Sequence, residues 1–294
     1  MSSVSNRKPF NLGRWFFRTG WRHLLGLVVC VYAIFPILYI LSTSLYPNND
    51  INNTTALFTA FSPQNYIELF AQDTRPFARW YSNTVYIGLV TSIGSVFLSA
   101  LAAYAFSRLR FKGRRGGLLS LILMQMFPSI LGLVAVFSLL SDFGQVFPII
   151  GLNSQLGLIL VYMGGALGAG TYLMYGFFNT VPKEIDEAAT IDGASHARIF
   201  FSIILRLVAP VLAVQMLLSY IGVTSDYVLA SILLSDPNQL TLATGLQQFI
   251  NDPYSKDWSM FAAGAVLSAL PSLVLFLFLQ KYITSGLTGG AVKG

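Results

Sequence analysis

Charge is what this sequence has least of. Asp, Glu, Lys and Arg make up 10% of its 294 residues, against about 25% in soluble domains. A water-facing shell cannot be built from so few charges, which excludes a soluble all-α protein. Cysteine is nearly absent: Cys30 alone excludes an internal disulfide and any CxxC metal or redox site. The two histidines, His23 and His196, lie too far apart in sequence to suggest a site. No HExxH, GxSxG or GxxxxGK[ST] run occurs, so the chain carries neither a hydrolase signature nor its own P-loop. No convincing internal repeat appears, although inverted repeats mark many secondary transporters.

What is abundant is apolar. Hydrophobic residues account for 54% of the chain, and a membrane-crossing helix needs about 20 of them in a row. Six stretches qualify, at 24–45, 84–106, 118–140, 156–178, 207–234 and 260–282. Arg7, Lys8, Arg14, Arg18 and Arg22 precede the first. That run is too long for a signal segment and no small-residue cleavage site follows it, so it reads as an uncleaved span with a cytoplasmic N-terminus. With that orientation, all but Arg75, Arg79 and Lys256 of the 18 basic residues fall inside, as the positive-inside rule requires. The same rule explains the net charge of +6 without nucleic acid. The resulting organisation is a cytoplasmic tail (1–23), a first helix (24–45), an external loop (46–83), a five-helix core (84–282) and a cytoplasmic tail (283–294).

Small residues from Gly164 to Gly170 predict close helix packing in the fourth span. Pro36, Pro128 and Pro271 permit kinks in spans one, three and six. Asp226 is the one ionisable residue deep in a predicted span. A charge there costs about 2.5–3.5 kcal/mol on insertion scales, so Asp226 is expected to face a cavity or an internal partner, and it is the candidate for a translocation path.

The exception to all this apolarity is 182–210, with Lys183, Glu184, Asp186, Glu187, Asp192, His196, Arg198 and Arg206 between two spans. Such a segment cannot sit in hydrocarbon and must project into water or a partner protein. Pro182 suits a helix start, and Glu184, Asp186 and Glu187 suit the positive end of the helix dipole. Gly193 interrupts the helix, and Ser195 can cap a second one. The alanines leave a flat patch rimmed by acids. A helix of that form can lie in a cleft of another protein, and a solvated helical loop is the plainer reading of the same residues.

Glu187-Ala188-Ala189-x-x-x-Gly193, followed by Ile203-x-Leu205, resembles the EAA signature of permease subunits of binding-protein-dependent carbohydrate ABC importers. Arg206 stands where that pattern commonly has proline. Further likeness lies in Ala102-Ala103-Tyr104-Ala105-Phe106-Ser107-Arg108, Met126-Phe127-Pro128, Phe147-Pro148, Ser268-Ala269-Leu270-Pro271 and the tail from Gly286. These stretches look closest to the MalG-type branch of maltose/maltodextrin importers. The resemblance implies an all-α integral membrane protein of six transmembrane helices with a cytoplasmic EAA coupling helix, the type I importer permease fold. It implies no catalysis and no cofactor in this chain. The expected partners are a second, MalF-like permease, two MalK-like ATPase subunits that use ATP and Mg, an external sugar-binding protein, and lipid. Glu187, Ala188, Ala189, Asp192 and Gly193 would couple the chain to an ATPase subunit. An ion-coupled secondary sugar transporter is the alternative, and a scaffold without transport the next.

Overall fold

The computed structural model describes residues 16–47, 57–251 and 256–291. The basic residues Arg7, Lys8 and Arg14, the turn-forming residues 48–56 and 252–255, and the last three residues lie outside that description. Every described element is helical. In chain order they are α1 (Trp21–Ser44), α2 (Gln64–Ala71), α3 (Phe77–Arg108), α4 (Arg114–Gln125), α5 (Ser129–Val146) and α6 (Gln155–Thr180). Then come α7 (Lys183–Ile191), α8 (His196–Leu207), α9 (Ala209–Ser225), α10 (Val228–Leu233), α11 (Leu242–Gln247) and α12 (Trp258–Ala291).

Four described helices, α1, α3, α5 and α12, are long and apolar enough to cross a membrane. Two bent elements bring the number to six: α6, and α8 with α9, which meet at 78°. The count agrees with the hydropathy of the sequence, but besides the bend in α6 the third and fifth spans are interrupted where the sequence predicts one rod each. The third ends α4 at Gln125 and restarts as α5 after Pro128, whose backbone is extended (ψ 117°). Proline lacks the N–H that the helix needs at that point. The fifth, expected over 207–234, bends at Val208, its second residue. Pro210, two residues on, occupies the first turn of α9 where its missing N–H costs nothing. The same span is interrupted again at Asp226, between α9 and α10. Pro36 and Pro271, by contrast, sit within continuous helices.

α3 is the axis of the bundle, packing along α6 and α9, while α9 also packs on α12, and α12 on α1. Two apolar clusters sit at its ends. One gathers Phe77, Trp80, Leu69, Leu246, Phe249 and Met260. The other gathers Ala100, Ala103, Tyr104, Phe178, Ile199 and Phe200. Between them α3 presents the buried small residues Thr91, Ser92, Ser95 and Ser99. A Cβ on Gly170 of α6 would lie 2.6 Å from Ser99 Oγ, so only glycine lets these two backbones approach so closely. The expected close packing of the fourth span is therefore local. Gly168 and Gly170 meet side chains of other elements, whereas Gly164 and Gly165 face open space.

Candidate functional site

The polar hairpin folds as α7, a glycine turn and α8. Pro182 is the residue just ahead of α7, extended at φ −56°, ψ 136°, rather than its first helical residue. Glu184 and Asp186 occupy the first turn, where the helix dipole favours them. At the other end Gly193 takes φ +80°. The Ala194 N–H donates to Ala189 O at 2.9 Å and the Gly193 N–H to Thr190 O at 3.0 Å. This is a Schellman closure, which requires a left-handed residue at that position. A side chain on Gly193 would meet nothing within 4 Å, so glycine is needed there for its backbone and not for space. The Ser195 hydroxyl accepts from the Arg198 N–H at 3.3 Å and starts α8, as its sequence predicts. α8 continues through one wide π-helical segment, Ile199–Ile204. Arg206 stays helical and exposed; the kink that the EAA pattern puts at this point falls instead at Val208.

α7 has two faces. Ile185, Asp186 and Ala189 turn toward the bundle, and Ala189 is buried against the second cluster. Glu184, Glu187, Ala188 and Ile191 are exposed, and their i, i+3, i+4, i+7 spacing puts them on one stripe. The structure thus divides the alanine pair: Ala188 looks outward and Ala189 inward. Asp192 and Gly193 are exposed at the turn. Ile191 is 88% exposed. A large aliphatic side chain on a charged helix outside the apolar spans is a residue that sequence reasoning missed; its spacing from Glu187 and Ala188 was the available signal.

The inward face is held by an ion pair. Arg108 Nε lies 2.5 Å from Asp186 Oδ2, and the two side chains are 6% and 17% exposed. Arg108 Nη2 also donates to Val181 O at 2.9 Å. The Tyr104 hydroxyl donates to His196 O at 3.4 Å, and its ring lies 5.1 Å from that of Phe200. A crevice of about 180 Å³ opens beside the pair, rimmed by Arg110, Arg114, Lys183 and Glu187.

Asp226 lies elsewhere, and the structure gives its carboxylate a local task. Oδ1 accepts from the Tyr162 hydroxyl at 3.0 Å and from the Leu229 and Ala230 N–H groups at 3.0 and 3.3 Å. It caps α10 at the point where α9 ends, which removes the cost expected of a charge inside a continuous span. A cavity of about 350 Å³ opens nearby between α3, α9, α11 and α12, lined by Tyr81, Tyr220, Thr224 and Ser268 among others, and Asp226 is not part of its lining. Among the described residues no group of three or more His, Cys, Asp or Glu side chains could hold a metal ion.

Residues 94–289 match the family described as binding-protein-dependent transport system inner membrane component. The chain is 39% identical over 282 residues to the galactooligosaccharides transport system permease protein GanQ of Bacillus subtilis, covering 96% of this chain and 98% of that one. It is 38% identical over 291 residues to the maltose/maltodextrin transport system permease protein MalG of Photorhabdus laumondii, covering 93% and 97%. A crystal structure of a bacterial ABC transporter involved in the import of the acidic polysaccharide alginate superposes with a TM-score of 0.75 at 23% identity, over 93% of this chain and 99% of that one. At that identity the likeness speaks for the fold alone.

Proposed function

The chain belongs to the family of binding-protein-dependent transport system inner membrane components, and on that premise we propose that it is the sugar-conducting permease of an ATP-driven importer, driven through α7. It is a membrane permease and not an enzyme, as its relatives are transport permeases, and its fold is that of a type I importer permease. The reading places the polar hairpin and both chain ends on the cytoplasmic side of the cell membrane, as the distribution of Lys and Arg favours. A second, MalF-like permease completes the path, an external binding protein delivers sugar, and two MalK-like subunits hydrolyse ATP with Mg. The cargo is maltose, a maltodextrin or a related α-glucoside such as trehalose. The names of the relatives support an oligosaccharide and span more than one sugar type.

The observation that carries this reading is the outward stripe of α7. Ile191, flanked by Ala188, Glu184 and Glu187, is an apolar knob in an acidic rim that no described residue of its own chain covers. Covering such a side chain is worth about 1.5–3 kcal/mol. Closure of the ATPases would push α7 and rock the bundle from inward- to outward-facing. Gly193 sets the angle at which α7 leaves the hairpin. Asp226, fixing the break between α9 and α10, would hold the wall of the path in shape. Uptake of labelled maltose, maltotriose, trehalose and galactooligosaccharide, in cells lacking only this chain and in cells complemented with it, tests the reading. ATP-dependent uptake of an α-glucoside is the expected result. Uptake that follows a proton or sodium gradient without the ATPases would support the secondary-transporter alternative instead.

A further inference from the structure

We propose that Arg108 is a positioning residue for transport: its ion pair with Asp186 straps the inner face of α7 to the end of α3, so that the two move as one piece. The inference rests on the reading of α7 as the coupling helix. A push on α7 is useful only if α7 is fastened to something that reaches across the bundle. α3 is that element, since it runs through both apolar clusters from Phe77 to Tyr104.

The fastening is concentrated in the last two turns of α3. Arg108 reaches Asp186 and Val181 O at once, and so holds both α7 and the segment that enters it. Tyr104, one turn back, reaches His196 O at the start of α8. Both limbs of the hairpin are therefore anchored on one stretch of α3. The buried apolar contact of α7 is Ala189 in the second cluster, a single methyl group, with Ile185 only half-buried beside it. Apolar contact is non-directional and lets helices slide, whereas a pair of buried charges sets a register. Arg108 Nη1 and Asp186 Oδ1 have no hydrogen-bond partner, so the Asp186 carboxylate has no second clamp if Arg108 is lost, and Arg108 keeps only Val181 O if Asp186 is lost. Lysine could not substitute, because a point charge lacks the fork that serves two acceptors.

The test uses the full transporter in proteoliposomes, with its second permease, ATPases and binding protein, and with Cys30→Ser in this chain. Arg108→Gln and Asp186→Asn should each lower the sugar imported per ATP hydrolysed at least tenfold, with the ATPases still in the complex. Arg108→Cys with Asp186→Cys, bridged by a short bifunctional methanethiosulfonate, should recover to within about threefold of the parent and lose that recovery on reduction. Three results overturn the strap: parental import per ATP in the single variants, loss of the ATPases from them, or a bridged pair that hydrolyses ATP without import. Ile191→Asp on the outer face tests the underlying reading separately. If it keeps both the ATPases and full coupling, α7 is not the coupling helix, whatever Arg108 does.

Discussion

At one end of α3, Trp80, Asn83 and Thr84 are tied to a loop of the same chain; at the other, Arg108 is tied to a helix whose outer stripe is exposed among the described residues. The Trp80 indole donates to Pro237 O at 2.7 Å. Asn83 donates to the carbonyls of Asn238 and Leu240, both at 2.9 Å, and Thr84 Oγ1 accepts from the Leu242 N–H at 2.6 Å. Trp80 is fully buried and its ring lies against Gly245, where a Cβ would come within 2.3 Å. That end closes on itself. The hairpin end has buried charge on its inner side and an exposed isoleucine between carboxylates on its outer side. The difference teaches that one helix can be locked into its own fold at one end and carry an exposed hairpin at the other, the end that the proposed function assigns to another protein.

Variants at the two ends should therefore fail in different ways. The largest effect is expected for Trp80→Ala, which empties a fully buried site and should cost about 3–5 kcal/mol. Thermal unfolding of the purified permease pair in detergent should show a lower melting temperature, and the ATPases should still bind the protein that remains folded. Glu187→Lys comes next. Its side chain is exposed, so folding stability should change by less than about 0.5 kcal/mol. Bringing like charges together across an interface costs several kcal/mol, and co-purification of the ATPases should fall accordingly. A melting temperature that drops with Glu187→Lys would blur the contrast between the ends.

Gly193→Val should strain the left-handed turn by about 1–2 kcal/mol without any clash, since the space around it is open. Uptake should fall at least tenfold while the protein still reaches the membrane; normal uptake would show that the angle of α7 is unimportant. The smallest effect is expected for Gly164→Ala, which meets nothing within 4 Å and should leave stability within about 0.5 kcal/mol of the parent. Gly170→Ala, placed against Ser99 and Gln215, should cost about 1–3 kcal/mol by overpacking. Equal melting temperatures for the two would mean that the α3–α6 approach is looser than described.

The number of spans was legible because hydrophobic length is a local property, and the glycine turn was legible because Gly193 follows a polar helix at a spacing that closure requires. The breaks were less so. Pro128 and Pro210 advertise a weakness, but nothing local places the sharp bend at Val208. Asp226 read as a charge in a span because its partner Tyr162 lies 64 residues earlier. Arg108 counted toward the basic residues inside and toward the family likeness but not as a partner of Asp186, since that pairing depends on how α3, α6 and α7 meet. The split between Ala188 and Ala189 depends on the rotation of α7 against the second cluster, which no spacing within α7 defines.

The most direct measurement is the accessibility of position 191. Ile191→Cys in a Cys30→Ser background can be labelled in inside-out membrane vesicles with a membrane-impermeant maleimide, with and without the ATPase subunits. Rapid labelling of the permease pair alone, slowed at least tenfold by the ATPases, is the expected result. Labelling at the same rate with the ATPases bound, or labelling only in right-side-out vesicles, would contradict the assignment of α7 as the helix that receives the push.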